Sequence, residues 1–276
     1  MTKKEGQDNQ DKISTLVDKI RHHRYLYYNH RPEISDSQYD ALEDELRRLD
    51  PDNPVLIEIG VDESSLFNKV GHVIPMMSQA KVTTAEDFEK WVEKREHDRF
   101  IVQYKLDGIS VEVQYESGKF KCAVTRGDGT VGDDISANVV RMNGFISGVE
   151  RSFSGAVRGE IVLLHDTFDE KYSNMQNCRN MAAGIVRRKD GIGSEDLNII
   201  YYDALSTSDE LTFNNELVKV EWMRSQGFPI VETRIFDEIE EVVSFRNDLM
   251  TRGREVLPFD IDGLVIKGVD IDEEDM

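Results

Sequence analysis

The apolar positions of the first 50 residues recur at helical spacing. One set predicts a first amphipathic helix: Ile13, Leu16, Val17, Ile20 and Tyr27. Pro32 interrupts this pattern, and a second set follows at the same spacing: Tyr39, Leu42, Leu46 and Leu49. Ser35 or Asp36 is placed to cap the second helix, and Pro51 and Pro54 end it. The N-terminal region is therefore predicted to be a small helical hairpin.

Beyond this hairpin the pattern changes. Residues 51–72 are rich in Asp, Asn, Ser and Gly, which is typical of a linker. A short helix with Thr84 as its N-cap is predicted next. Alternating β-branched and aromatic residues then predict six strands: 100–105, 109–115, 119–126, 155–164, 197–205 and 261–267. Helical stretches are predicted near residues 133–141, 166–186, 214–226 and 237–252.

The predicted strands and helices are interspersed without regular β-α-β spacing. This favours an α+β fold with mainly antiparallel sheets flanked by helices. The predicted organisation is a helical domain over residues 1–58, a linker over 59–72 and a larger α+β domain over 73–276.

Composition and charge limit the classes of function. The 276 residues carry a net charge of −20, which argues against a protein that coats nucleic acid by bulk electrostatics but allows a local basic groove. No apolar run approaches the roughly 20 residues of a membrane span, and the N-terminus lacks a signal-peptide core. With only Cys122 and Cys178, we expect no disulfide framework, no zinc site in this chain and a cytoplasmic location.

Lys105 is the most informative position. It lies among β-type residues and is followed by Asp107 and Gly108. A lysine in a buried strand is unfavourable unless its amine is used, and a dry pocket would make that amine a nucleophile. Gly108 would let a ligand or another backbone approach. The alternative is a surface lysine at a strand end followed by a turn.

Two further segments combine charge with glycine or strand context. Residues 125–134 place Arg126 among three glycines, which predicts either an anion-binding loop or a plain hairpin turn. Arg158 and Glu160 share a strand face, where they could form a cross-strand ion pair. Alternatively, a carboxylate there could bind a ribose or a metal.

Basic residues also stand out in this acidic chain. Arg179 and Arg187 lie eight residues apart, on one face of a predicted helix, with small residues between them that allow close packing. They indicate phosphate contacts, or else a solvated helix face. Near the end of the sequence, Asp262 and Lys267 flank another strand. There Lys267 could offset phosphate charge, and Asp262 could orient that lysine or a metal.

These segments occur in a recognisable order. Lys-x-Asp-Gly, Arg-Gly-Asp-Gly, Arg-Gly-Glu, Arg-Asn-x-Ala-Ala-Gly and Asp-Gly-Leu-Val-Ile-Lys resemble the nucleotidyltransferase motifs of the bacterial NAD-dependent DNA ligases. The N-terminal hairpin resembles the small domain that grips the nicotinamide mononucleotide half of NAD in that family. The resemblance runs from about residue 13 to 268 and implies an ATP-grasp-like ligase domain of mainly antiparallel sheets.

The resemblance implies roles for individual residues. Lys105 would attack the α-phosphate of NAD, forming lysyl-AMP, while Lys267 would neutralise that phosphate. Asp107 and Glu160 would contact the ribose and metal-bound water, with Mg²⁺ as the metal. The remaining predicted nucleotide contacts are Ser78, Gln79, Gln103, Arg126, Arg179, Arg187, Arg254 and Asp262. The predicted contacts to the nicotinamide end are Tyr27, Tyr28, Asp36, Tyr39 and Asp40.

The sequence also departs from the family pattern. Gln103 stands where the family has glutamate, and it would offer adenine a neutral carbonyl acceptor. Residues 78–81 and Met181 also differ from the family, which suggests a divergent, phage-type member acting in a host cytoplasm. An ATP-dependent RNA ligase or capping enzyme is disfavoured by the residue 27–40 patch.

The chain ends nine residues after Lys267, without the family's next lysine motif or its DNA-binding domains. We expect either a fragment or, in preference, the adenylation subunit of a split ligase whose second subunit supplies those parts and acts on nicked double-stranded DNA. The alternative function is a degenerate nucleotidyltransferase that binds NAD or a partner without chemistry.

Overall fold

The computed structural model describes residues 3–29, 33–51, 53–56, 67–77, 81–82, 84–95, 99–249, 251 and 256–270. Within these residues, mixed helices and antiparallel sheets confirm the predicted α+β class. None of the described helices combines the length and apolarity needed to cross a bilayer.

The N-terminal hairpin consists of α1 (Lys3–Asn29) and α2 (Asp36–Leu49). Ser35 is the N-cap of α2, and a capping box with Gln38 closes the first turn. The core between the two helices is buried and apolar; it comprises Leu16, Ile20, Leu46 and Val55. The predicted pair of helices and its apolar faces are therefore confirmed, except at Tyr27, whose side chain lies outside the described residues.

The larger region contains α3 (Ala85–Arg95) and three antiparallel sheets in the described part of the chain. The strands are β1 (Lys69–Gly71), β2 (Phe100–Leu106), β3 (Ile109–Glu116), β4 (Lys119–Thr125), β5 (Val131–Asp133), β6 (Gly155–Leu163), β7 (Leu197–Ser206), β8 (Thr233–Phe236) and β9 (Ile261–Gly268). One sheet has the order β4-β3-β6-β7, another β8-β2-β9, and β1 pairs with β5. All six predicted strands are present.

Helices cover these sheets: α4 (Ser136–Val139), α5 (His165–Lys171), α6 (Cys178–Val186), α7 (Glu216–Ser225) and α8 (Ile239–Asp248). The single helical stretch predicted over 166–186 is wrong, because residues 172–177 separate α5 from α6. Asn177 caps α6 by accepting a hydrogen bond from the Asn180 N–H. This break places Cys178 and Arg179 in the first turn of a new helix.

The main apolar core lies between the four-stranded sheet and helices α4, α6 and α7. β1 falls inside the predicted linker yet pairs with β5, so residues 69–71 are attached to the larger region. Residues 59–66 of that linker lie outside the described residues. The predicted domain boundaries stay predictions.

Candidate active site at the Lys105 strand

Lys105 is the exposed member of an otherwise buried strand. The other six residues of β2 are buried, whereas the Lys105 side chain is 50% exposed. Its amine pairs with the Asp262 carboxylate on β9, where Gly263 is the register partner of Lys105. The dry pocket expected around this lysine is therefore wrong for this structure, because the Lys105 side chain is half-exposed and paired with the Asp262 carboxylate.

Asp107 joins this strand to two other elements. Its N–H donates to the Asp260 carbonyl oxygen at 3.0 Å, and its Oδ1 accepts from an Arg179 guanidinium nitrogen at 2.8 Å. Burial lowers the pKa of Arg179 to about 10, partly offset by the charge of Asp262. The guanidinium stays charged at neutral pH, and it brings a positive charge close to the lysine strand.

Glu160 is a buried carboxylate at the back of the same region. Its Oε2 accepts a hydrogen bond from Ser110 Oγ at 2.9 Å. Burial raises the pKa of Glu160 to about 7, against the lowering effects of the Ser110 hydrogen bond and the Lys105 charge. Near neutral pH both forms of Glu160 are therefore populated: the protonated acid, which can donate a hydrogen bond, and the carboxylate, which can only accept one.

Gly108 has a steric role beside Glu160. A Cβ at this position would lie 2.2 Å from the Ile161 carbonyl oxygen and 3.0 Å from Glu160 Cγ. The predicted close approach of another backbone is therefore present. Gly108 lets the β2–β3 turn pack directly on β6.

Gly108 and Glu160 lie in the wall of one cleft, and the Asp107 partner Arg179 lines it as well, whereas Lys105 and Asp107 are adjacent to it. Its lining includes Gly108, Ser110, Arg126, Glu160, Arg179 and Arg187. Four residues predicted from three separate segments are thus brought together: Arg126, Glu160, Arg179 and Arg187. Three arginines around one cleft suit an anionic ligand, because guanidinium groups match phosphate geometry.

Gly184 does not provide the predicted close packing, since a Cβ there would meet nothing within 4 Å.

The glycine-rich loop after β4 is a tight turn. Asp128 Oδ1 accepts hydrogen bonds from the N–H groups of Thr130 and Val131, both at 2.8 Å. These hydrogen bonds lower the pKa of Asp128. Because Asp128 occupies these N–H groups, the turn alternative fits this loop and the anion-binding alternative does not. Arg126 lines the cleft, and its Nε donates to the Met76 carbonyl oxygen at 3.3 Å.

Two predicted site residues on the β2–β9 sheet have other partners. Lys267 Nζ donates to Glu216 Oε2 at 3.0 Å, and its register partner is Ile101. Four residues of strand separate Ile101 from Lys105, or about 13 Å at 3.3 Å per residue. Gln103 is buried, and its amide donates to Thr233 Oγ1 at 3.1 Å. The structure therefore places Lys267 apart from Lys105.

In the N-terminal hairpin, Tyr39 is a structural residue in this state. Its hydroxyl accepts from Arg24 Nε at 2.8 Å, and Arg24 also donates to Glu43 Oε1 at 3.0 Å. Burial raises the pKa of the Tyr39 hydroxyl. Asp40 pairs with Lys81 at 2.7 Å, a contact between the hairpin and the segment before α3.

Several predicted site residues cannot be placed. The side chains of Tyr27, Tyr28 and Asp36 lie outside the described residues, although their backbones belong to α1 and α2. Ser78, Gln79 and Arg254 are also outside the described residues.

One buried polar network was not predicted from the sequence. Glu112 Oε2 accepts from Arg158 Nε at 3.1 Å across the β3–β6 pair, and its Oε1 accepts from the Val73 N–H at 2.8 Å. His72 Nδ1 lies 3.3 Å from Glu112 Oε1, and His72 Nε2 is 2.9 Å from the Arg126 carbonyl oxygen. The cross-strand alternative for Arg158 is thus correct. Its partner Glu112 carries no such signal in the sequence, because it lies on the polar face of a strand that alternates apolar and polar residues.

The comparisons with known proteins identify the family of this chain. Residues 64–275 match the model of the NAD-dependent DNA ligase adenylation domain, and residues 6–60 match the DNA ligase-like N-terminal NAD⁺-binding domain. The chain therefore belongs to the NAD-dependent DNA ligase adenylation domain family.

Curated relatives support the same family. The chain is 42% identical to the DNA ligase of Treponema pallidum over 96% of its length, and 41% identical to that of Treponema denticola over 96%. These matches span 34% and 43% of the two relatives, so the chain covers about a third to two fifths of their length. A solved archaeal ATP-dependent RNA ligase is similar at TM-score 0.41 and 19% identity, over 64% of this chain and 41% of that one.

Proposed function

We propose that this chain carries out NAD-dependent self-adenylation at Lys105. The observation that carries the proposal is the position of Lys105, which projects from a buried strand next to a cleft lined by Arg126, Arg179 and Arg187. The Lys105 nitrogen would form a bond to the α-phosphorus of NAD. The bond to the bridging oxygen would break, and nicotinamide mononucleotide would leave with that electron pair. Asp262 is placed to accept the amine proton.

The other cleft residues would bind and orient the nucleotide. The arginines would offset the charge that develops on the phosphate oxygens, which is the main demand of such a transfer. Asp107 and Glu160 would contact the ribose, and the buried Gln103, whose amide now bonds Thr233, would have to become accessible to face the adenine. Lys267 would have to exchange Glu216 for the α-phosphate. The carboxylates of Asp107 and Glu160 are hard oxygen donors of the kind Mg²⁺ prefers, and Mg²⁺ would supply further charge neutralisation.

The hairpin would hold the nicotinamide end of NAD. Tyr27, Tyr28, Asp36, Tyr39 and Asp40 form an aromatic and acidic set, and a cationic nicotinamide ring is attracted to aromatic faces and carboxylates. The Asp40–Lys81 ion pair supports this assignment, because it links the hairpin to the larger region.

AMP transfer to the 5′-phosphate of nicked double-stranded DNA would follow. The acidic charge of −20 suggests that most DNA contacts come from protein segments beyond these 276 residues. We propose that such segments complete the enzyme, in the same polypeptide or, as the sequence resemblance suggested, in a second subunit.

A cytoplasmic location is part of the same proposal. Cys122 and Cys178 are both free and buried, as expected where thiols are kept reduced.

Labelling with NAD that carries radioactive phosphorus in its AMP half tests the proposal. Wild-type chain with Mg²⁺ should retain label through denaturing electrophoresis, and ATP labelled at the same phosphate should give none. Lys105→Ala should abolish labelling. Lys121→Ala, which removes another exposed strand lysine, should label like wild type. Label retained by Lys105→Ala, or strong labelling by ATP, would contradict the proposal.

A second candidate is a binding module without chemistry. It is favoured by the pairing of Lys105 with Asp262 and of Lys267 with Glu216, since both lysines are already neutralised. This candidate predicts that NAD raises the midpoint of thermal unfolding while the mass of the intact chain stays unchanged. An increase in mass by one AMP would exclude it.

A further inference from the structure

Three side chains of different chemistry converge beside the cleft. His165 is the first residue of α5, Cys178 is the first residue of α6, and Asp260 immediately precedes β9. Their imidazole, thiol and carboxylate atoms all lie within 4.8 Å of one another, and His165 Nε2 is 3.0 Å from Asp260 Oδ1. Three separate elements thus supply one donor atom each to the same point.

The backbone holds these donors in place. The His165 N–H donates to the Pro258 carbonyl oxygen at 2.9 Å, and the Asp107 N–H donates to the Asp260 carbonyl oxygen at 3.0 Å. The Asn177 cap fixes the first turn of α6, where Cys178 lies. Donors on rigid elements lose little freedom when they bind an ion.

The second cysteine provides a contrast. Cys122 Sγ contacts the amide oxygen of Gln114 at 3.4 Å, as a weak thiol donor does in a buried strand. Cys178 is equally buried, but it faces an imidazole and a carboxylate whose side chains are 34% and 43% exposed. An ion could therefore reach Cys178 from solvent past the partly exposed side chains of His165 and Asp260.

We propose that His165, Cys178 and Asp260 form a zinc site. Thiolate, imidazole and carboxylate together suit Zn²⁺ rather than Mg²⁺ or Ca²⁺. Tetrahedral ligands of Zn²⁺ lie about 3.3–3.8 Å apart, so small side-chain movements complete the geometry. Water would take the fourth position, and the thiol proton would pass to solvent on binding. The expectation of no zinc site rested on the presence of only two cysteines, but a mixed site of this kind needs only one.

The position of the site gives it a structural consequence. Cys178 is next to Arg179, which bonds Asp107, and Asp260 is two residues from Asp262, which pairs with Lys105. A bound ion would link α6 to the start of β9. It would thereby fix the positions of Arg179, the partner of Asp107, and of Asp262, the partner of Lys105. The ion would organise the cleft and take no part in the proposed AMP transfer.

Cobalt substitution tests the site. Co²⁺ added to the metal-free chain should produce the visible absorption of tetrahedral Co²⁺ together with a thiolate-to-cobalt charge-transfer band. Both signals should saturate at one equivalent of Co²⁺, and equimolar Zn²⁺ should remove both. The exposed group of His22, His23 and Glu33 contains no thiol, so it cannot produce that band. The readout is independent of lysyl-AMP formation, and its failure would leave the proposed function untouched.

Variants assign the ligands. Cys178→Ser should lose the charge-transfer band, whereas the matched Cys122→Ser should keep it. Loss of a residue that only hydrogen-bonds to a metal ligand weakens metal binding by about 10- to 100-fold. His165→Ala removes a ligand itself and should weaken Co²⁺ binding by more than this. Absence of a thiolate band in folded wild-type chain would overturn the inference, as would a band unchanged in Cys178→Ser.

Discussion

The guanidinium of Arg179 donates a hydrogen bond to Asp107 Oδ1 at 2.8 Å and so joins the first turn of α6 to the turn that follows Lys105. Both side chains are about three-quarters buried, at 27% and 28% exposure, which makes this contact stronger than a surface ion pair. It connects a helix that lines the cleft to the strand that carries the lysine.

Arg179→Lys should therefore slow self-adenylation. A lysine keeps the charge but loses the planar fork, and a lost charge-assisted hydrogen bond of about 1.5–3 kcal/mol corresponds to roughly 10- to 100-fold in rate. The rate of lysyl-AMP formation at saturating NAD measures this effect. Arg188→Lys is the matched control, because the Arg188 side chain is exposed and, among the described residues, hydrogen-bonds to its neighbour Asp190 at 2.9 Å. Equal rates for the two variants would contradict the assigned role.

Glu160→Gln should change how stability depends on pH. Burial raises the folded-state pKa of Glu160 to about 7, above its unfolded value of about 4.3. The unfolded state therefore loses this proton first, and wild-type stability falls as pH rises from about 4.3 to 7, by up to about 4 kcal/mol for this group alone.

Glutamine cannot ionise, so the variant lacks this loss of stability. The free energy of unfolding of Glu160→Gln should therefore be nearest to that of wild type near pH 4 and should rise relative to it as the pH increases to 8. Urea unfolding across this range measures the difference. A difference that does not vary with pH would show that Glu160 ionises normally.

Glu112→Gln should destabilise the fold. Burial alone would raise the pKa of Glu112, but hydrogen bonds from His72 and the Val73 N–H, with the Arg158 charge, lower it. Removing the charge leaves buried Arg158 without its counter-ion, at a cost of about 3–5 kcal/mol.

Urea unfolding at neutral pH measures the Glu112→Gln effect, and Glu116→Gln at the exposed end of the same strand should stay within about 0.5 kcal/mol of wild type. Because the pKa is lowered, the contribution is present above the unfolded pKa and is lost as pH falls through the folded one. A Glu112→Gln variant as stable as the control would show that the network contributes little.

Gly108→Ala should disturb both stability and the cleft. Its Cβ would lie 2.2 Å from the Ile161 carbonyl oxygen, so the β2–β3 turn must shift away from β6, at a cost of about 1–3 kcal/mol. Gly184→Ala is the control, because a Cβ there meets nothing within 4 Å and alanine stabilises a helix by about 0.5–1 kcal/mol. Thermal unfolding should shift in opposite directions for the two variants. A shift in the same direction would contradict the packing described here.

The six long strands and the hairpin were predictable because each has a strong periodic pattern. β1, β5 and β8 were missed because they are three or four residues long, too short for an alternation to appear. The break between α5 and α6 was missed for a different reason: residues 172–177 contain no proline or glycine to mark it.

The site was predictable only as a set of residues. The sequence order of the motifs indicated Lys105, Arg126, Glu160 and Arg179, but not their partners. The pairing of Lys105 with Asp262 depends on the β2–β9 register, and that of Lys267 with Glu216 on the packing of α7. The His165–Cys178–Asp260 group likewise joins residues up to 95 positions apart, which no local pattern reveals.

The most direct test of the central claim is to locate AMP by peptide mass mapping after the chain has reacted with NAD and Mg²⁺. We predict a single modified peptide with AMP on Lys105, and loss of the modification when excess nicotinamide mononucleotide is added to reverse the transfer. Modification of Lys267 instead, or an unmodified Lys105 in a chain that binds NAD, would contradict the account.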